Sequence, residues 1–279
     1  MSEAVDFPFN RPDSGFNSLP GWTWVGCYGG YYLQADLLAG FEHGFFTRQW
    51  QGRGPEDLAG YLSAGVSVHR TRQVHGNRVL PARQAVAPPW PDADGLRSDA
   101  GGQSLWVCGA DCTPVLLADP VRGAAAACHA GWRGVASGIL AEAVAALVAD
   151  GSAAADLLVA LGPAVSGANY QVHHSVSCEL AASLTPLLRE APLGSPPEQS
   201  LSQELELLRA GRALAVDAEP QKDRLDIRQA ARIQLELLGI NPERIASCPL
   251  CTVAEPDLFH SWRRDGIKAV QWSGIVAQN

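Results

Sequence analysis

The sequence has no block of clustered lysine or arginine. Its 21 basic residues stand against 29 acidic ones, a net charge of −8 over 279 residues. Phosphate backbones are bound chiefly by clustered Lys and Arg, so this balance argues against a nucleic-acid surface and favours small-molecule substrates. No run is long and apolar enough for a membrane span: the longest apolar stretch, Val135 to Ala149, is interrupted by Glu142. The start, Met1-Ser2-Glu3-Ala4-Val5-Asp6, lacks the basic opening and apolar core of a secretory signal. A cytoplasmic protein with no membrane partner is expected. Seven cysteines cannot all pair internally, and a reducing compartment accounts for them as free thiols, with Cys27, Cys108 and Cys178 read as small core residues.

There is also no repeat of fixed period and no linker that divides the chain. Residues 1–20, rich in Pro, Asn and Ser, read as a loose lead-in, and residues 21–279 as one domain. Short apolar runs at Ser104 to Gly109, Pro114 to Ala118 and Gly123 to Cys128, each ended by Gly, Asp or Pro, predict buried strands. Leu157 to Leu161 and Ala213 to Asp217 read as further strands, and the tail Ile267 to Val276 closes on another. From Gly134, the spacing of Val135, Ile139, Leu140, Val144, Leu147 and Val148 predicts one amphipathic helix ending at Asp150-Gly151. A second helix is predicted over Asp226 to Leu238, with Asp226 and Gln229 as a capping box and Gly239 as its stop. Ala191 to Gln203 reads as a Pro/Ser-rich surface insertion. Strands followed by helices only at intervals predict an α+β fold, an α/β sandwich with mixed sheets.

Against this background stand His75 in Gln73-Val74-His75-Gly76-Asn77, Cys112 in Ala110-Asp111-Cys112-Thr113-Pro114, and His129 in Cys128-His129-Ala130-Gly131-Trp132-Arg133-Gly134. Two imidazoles and one thiolate suit Zn²⁺, and three protein ligands leave a fourth position open, as catalytic sites do. Spacing does not join the three into a known signature, so a satisfied core histidine or a buried free cysteine is the alternative reading for each.

These segments, with Phe41-Glu42-His43-Gly44-Phe45-Phe46-Thr47-Arg48, Asp92-Ala93-Asp94-Gly95, Leu161-Gly162-Pro163-Ala164, Leu225-Asp226-Ile227-Arg228, Cys251-Thr252 and Phe259-His260-Ser261-Trp262-Arg263-Arg264-Asp265-Gly266, resemble the polyphenol oxidase or laccase-domain family. That family is also known as purine nucleoside phosphorylases and peptidoglycan-editing factors. The motifs keep the family's order and span nearly the whole chain. The resemblance implies a single domain of the laccase-domain/CNF-like type, with zinc held by His75, Cys112 and His129. It further implies phosphorolysis of adenosine, inosine, guanosine or methylthioadenosine, with adenosine deamination as a second activity. Two positions depart from the pattern: Val253 and His260 stand where relatives usually carry aromatic residues.

Several polar residues near the motifs carry expected roles. Arg48 and Arg133, and behind them Arg263 or Arg264, are candidates for phosphate, because guanidinium groups bind phosphate oxygens in pairs. Gln73 and Asn77 are expected to contact substrate, and Asp94 and Asp111 to accept a proton or to brace a ligating histidine. The backbone from Gly131 to Val135 opens a helix and can hold an anion. Phe45, Phe46 and Trp132 are candidates for stacking on the base.

Other chemistries are narrowed by what is missing. Seven histidines and no His-x-His pair leave too few imidazoles for a true multicopper site, although Cu²⁺ can substitute at the His/Cys donors. No histidine is followed two residues on by glutamate, so the usual zinc-deaminase signature is absent. Cys248-Pro249-Leu250-Cys251 has half a ribbon's spacing, but Cys108 and Cys112 are too widely spaced to complete it. His173-His174 reads as surface. A metal-free amidase acting on a peptidoglycan precursor, with Cys112 as nucleophile and His129 or His75 as base, uses the same atoms.

Overall fold

The computed structural model describes residues 19–28, 30–190 and 197–278. The first sheet has the order β1 (Trp22–Cys27), β2 (Gly30–Ala35), β3 (His43–Phe46), β15 (Gln271–Val276), β7 (Gln103–Gly109), β4 (Ser67–His69). The second runs β14 (Ile245–Ser247), β10 (Leu158–Leu161), β8 (Thr113–Ala118), β9 (Ala125–Ala130), β6 (Gly95–Arg97), β5 (Val79–Pro81). Both are mixed: β4 runs parallel to β7, β5 to β6 and β10 to β14, and the other pairs are antiparallel. A small third sheet joins β11 (Gln171–His173), β13 (Lys222–Leu225) and β12 (Leu214–Val216).

Alternation along the strands sets the layers. Leu33, Phe45, Leu105, Val107 and Ile275 of the first sheet form one core with Leu116, Ala118, Ala125, Ala127 and Ala160 of the second. The intervening residues face outward. Tyr32, Phe46 and Trp106 pack against helix α1 (Pro55–Leu62). Val115, Leu117, Ala126, Cys128 and Val159 pack against the helical layer on the other side. The α+β sandwich with mixed sheets is therefore the observed architecture, with every strand expected from the apolar runs present. The lead-in through residue 18 lies outside the described residues.

Three local expectations change. The helix after His129 is two helices, α2 (Trp132–Ala136) and α3 (Ile139–Ala149), because Gly138 takes φ +87 and cannot continue a right-handed helix. The apolar period carries across the break since both pieces face the same core. Next come α4 (His174–Ala182), α5 (Thr185–Glu190) and α6 (Pro197–Ala210), so the second half of the expected surface insertion is helical. Proline at a first helical position explains why a proline-rich start was compatible with a helix. His173 and His174 lie at the surface as expected, the exposed His173 ending β11 and the half-exposed His174 opening α4. Helix α7 (Ile227–Leu237) lies where expected, but its capping box is not reciprocal, because the Asp226 N–H donates to the Ala213 carbonyl at 2.8 Å and not to the Gln229 side chain. Asp226 accepts hydrogen bonds from the Arg228 and Gln229 amides, and Gly239 and Ile240 donate to Glu236 and Leu235 in a Schellman stop.

Candidate metal centre and its cleft

The two sheets bring three remote segments to one end of the sandwich. His75 sits in the β4–β5 connection, Cys112 in the short link from β7 to β8, and His129 next to the end of β9. Antiparallel register pairs Thr113 with Ala130 and Pro114 with His129, which lays the Cys112 link alongside the end of β9. The potential ligand atoms of His75, Cys112 and His129 all lie within 4.8 Å of one another, and the two rings are nearly perpendicular at 81°. Tetrahedral zinc places N and S donors roughly 3.3–3.6 Å apart, so side-chain shifts of about 1 Å complete the site. The donor set fits such a metal.

Asp94 holds this arrangement together. Its carboxylate is fully buried, and Oδ2 accepts from the Val74 and Gly76 amides at 3.0 and 2.8 Å while Oδ1 accepts from the His75 amide at 2.9 Å. Three successive N–H groups thus close around one anion, which keeps His75 at φ +61, a conformation L residues adopt rarely. Oδ1 also meets His129 Nδ1 at 2.8 Å. With Nδ1–H donating to Asp94, Nε2 is the ring nitrogen left with a lone pair for a metal.

Asp111 has a different task. Its Oδ1 accepts from the Thr252 hydroxyl and its Oδ2 from the Arg263 amide, both at 2.6 Å, and its own backbone is at φ +96. It ties the cysteine link to the C-terminal segment. Gln73 bridges back to β7: its amide donates to the Cys108 carbonyl at 2.7 Å and accepts from the Cys108 N–H at 2.8 Å. Gly131 closes the floor, where an added Cβ would lie 2.8 Å from Cys112 Sγ and 3.4 Å from His75 Cδ2.

Electrostatics prepare the donors. Burial alone would raise the Cys112 thiol, but hydrogen bonds and charge from His129 and His75 bring it down to about 6. Burial works against a charged His129, and its bonds to Asp94 and Cys112 outweigh that and raise it to about 9. Asp94 itself is held below the usual carboxylate range; burial opposes this, and His129 with the Gly76 and Val74 amides prevails. Without metal the cluster is a thiolate beside imidazolium.

A cleft of about 400 Å³ opens above these atoms. His75, Cys112, His129, Gln73 and Cys108 form its inner wall, and Trp262, Ile267, Lys268 and Val270 its outer one. Trp262 is 54% exposed and Ile267 64%, so an apolar rim faces a polar floor. Cys108 therefore belongs to the cleft and not to the core.

The other expected residues scatter. Phe45 and Phe46 are buried core, and half-buried Trp132 packs against the helical core with the Arg133 guanidinium 4.4 Å over its ring. Arg133 is exposed, and α2 behind it has only five residues, with the Val135 amide already bonded to Gly131. Arg48 donates to the Pro256 carbonyl and does not line the cleft. Asn77 donates to the Ser137 carbonyl at 2.8 Å, at the helix break. Arg264 donates to the Thr252 and Phe259 carbonyls, whereas the exposed Arg263 guanidinium lies 4.6 Å over the Tyr170 ring. Trp262 and Lys268, which do line the cleft, were missed; an exposed aromatic in a motif segment was the available signal for the first. Cys248 and Cys251 are buried, and among the described residues His75, Cys112 and His129 form the one group of three His, Cys, Asp or Glu placed to hold a metal. No described helix is long and apolar enough to cross a membrane.

Known proteins resemble this chain over most of its length. A purine nucleoside phosphorylase of Synechocystis sp. is 40% identical over 262 residues, covering 92% of this chain and 97% of that protein. A purine nucleoside phosphorylase of Mycobacterium tuberculosis is 35% identical over 69% of this chain and 65% of its own length. Among solved structures, Bacillus licheniformis YfiH superposes with a TM-score of 0.71 at 26% identity, covering 88% of this chain and 96% of that one. YlmD from Geobacillus stearothermophilus gives 0.70 at 26% identity over 89% and 96%. The family model described as multi-copper polyphenol oxidoreductase laccase matches residues 56–278, and the chain belongs to that laccase-domain family.

Proposed function

We propose that this chain is a zinc-dependent purine nucleoside phosphorylase that cleaves adenosine, inosine, guanosine or methylthioadenosine with phosphate and also deaminates adenosine. The observation that carries the reading is the Asp94-braced His75/Cys112/His129 cluster at the floor of a cleft rimmed by Trp262. Its weight is increased by the 40% identity to a protein named purine nucleoside phosphorylase. Zinc bound there would supply Lewis acidity to stabilise charge leaving on the purine and to activate water for deamination.

The chain's own residues do the rest. Cys112 arrives as thiolate, and Asp94 fixes the His129 tautomer and the His75 loop. Trp262 offers a face for the purine. We assign phosphate to Lys268, on the cleft wall, with Arg263, next to Trp262 in sequence, as the second cation, a role that the positions of Arg48 and Arg133 do not favour. Phosphorolysis requires that ribose 1-phosphate and adenine form from adenosine only when phosphate is present. Base release at the same rate without phosphate would contradict it.

The thiolate character of Cys112 supports one second reading, hydrolysis of a peptidoglycan-precursor amide with Cys112 as nucleophile and His129 or His75 as base. Precursor turnover that survives chelators and is abolished by alkylation would favour it. Phenol oxidation by copper at the same donors is disfavoured as the main role, because a laccase needs more imidazoles than this cluster holds.

A further inference from the structure

Asp111 anchors two remote chain segments beside Cys112. Its carboxylate accepts the Arg263 amide at 2.6 Å, and its backbone carbonyl accepts the Val165 amide at 3.0 Å, shortly before Tyr170. The two segments meet where the Arg263 guanidinium lies 4.6 Å over the Tyr170 ring. Burial raises the Tyr170 hydroxyl, the Cys112 charge adds to that, and the Arg263 charge opposes it, so the pair stands within electrostatic reach of the metal centre.

Both partners are held in place. Half-buried Tyr170 packs against the helical core, its N–H donates to the Gly167 carbonyl at 3.3 Å, and its carbonyl accepts the Leu225 amide at 3.0 Å. Arg263 sits in the helical turn Trp262–Asp265, capped by Ser261 Oγ, which accepts the Arg264 amide at 3.1 Å, and ended by Gly266 at φ +62. Neighbours on a helix point about 100° apart, so one turn sends Trp262 to the cleft wall and Arg263 to Tyr170. Arg264 is spent on the Thr252 and Phe259 carbonyls and on Asp265. Arg263 makes no ion pair among the described residues, and a guanidinium stacked on a ring keeps N–H groups along its edge for oxygens.

We propose that Tyr170 is a positioning residue for phosphate: its ring is the platform that holds the Arg263 guanidinium beside the metal centre. The inference rests on the phosphorylase reading for its substrate. Phosphate oxygens meet the guanidinium N–H groups in pairs, with Lys268 on the cleft wall as the other charge. Tyr170 acts through Arg263 and makes no bond to phosphate itself, so the flat ring matters and the hydroxyl does not.

Calorimetric titration of the zinc-loaded full chain with inorganic phosphate tests this, with zinc counted per chain and circular dichroism checked for each variant. One saturable site is expected, weakened about tenfold in Arg263→Ala and unchanged in Tyr170→Phe, which keeps the ring. It should weaken about threefold in Tyr170→Leu and in Arg263→Lys, which keeps the charge without the flat face. No saturable binding overturns the proposal, as does full affinity in either of the last two variants. So does equal weakening in Tyr170→Phe and Tyr170→Leu, which would give the role to the hydroxyl. Nucleoside assays on the same samples separate the two readings. Phosphate binding in the expected order without nucleoside cleavage sinks the phosphorylase reading alone, and cleavage with an unchanged KM for phosphate in Tyr170→Leu sinks the platform alone.

Discussion

Asp94 grips His129 twice: its carboxylate meets the ring Nδ1 at 2.8 Å, and its carbonyl accepts the His129 amide at 2.7 Å. The same carboxylate folds the His75 loop, so one buried anion sets two of the three donors. Replacing Asp94 with Asn keeps the shape but puts an amide N–H₂ against backbone donors. Metal affinity should fall about 10–100-fold, read by competition with a chromophoric chelator. Unchanged affinity would show that the donors need no such brace.

Gly131→Ala tests the floor of the site. The backbone there, φ −74 and ψ 168, suits alanine, yet the methyl would sit 2.8 Å from Cys112 Sγ. The thiol must turn away. The variant should keep a native circular dichroism spectrum and lose bound metal, measured by elemental analysis.

Cys112 gives a pH signature in metal-stripped protein. Its thiol is lowered to about 6, so the reactive thiolate fraction rises as pH increases through that value and is lost below it. Iodoacetamide labelling of Cys112, followed by mass spectrometry, should be half-maximal near that pH, while Cys128 and Cys248, each pushed up to about 12 by burial, stay unlabelled. Zinc added first should protect Cys112. Labelling that first appears above pH 8 would contradict the thiolate–imidazolium cluster.

Asp111→Ala removes acceptors for Thr252 and Arg263 and leaves alanine at φ +96. Stability in urea should drop by about 3 kcal/mol, more than for a surface aspartate. A loss of zinc with no change in stability would instead mean that Asp111 acts on the metal ligands.

Trp262→Ala removes the aromatic rim without touching a ligand. KM for inosine should rise up to about tenfold, while bound zinc stays constant. An unchanged KM would place the base elsewhere in the cleft.

The strands that carry the site were legible because apolar runs such as Ser104 to Gly109 are bounded by turn residues, and alternation then fixed which side chains face the inter-sheet core. His75, Cys112 and His129 were legible through their motif segments, not through spacing, since strand pairing brings them together across the chain. The same non-local pairing hid the rest. Nothing near Gln73 in sequence reveals that its amide is engaged with Cys108, and nothing near Arg48 shows it turned to Pro256. Helix periodicity could not reveal the break at Gly138, because both halves bury the same face.

The central claim is tested most directly by assaying adenosine and inosine with and without phosphate, with products resolved chromatographically and zinc counted per chain, for the native protein and Cys112→Ala. The account predicts phosphate-dependent release of adenine and hypoxanthine with one zinc bound, both lost in the variant. One tightly bound zinc with no nucleoside turnover would contradict it.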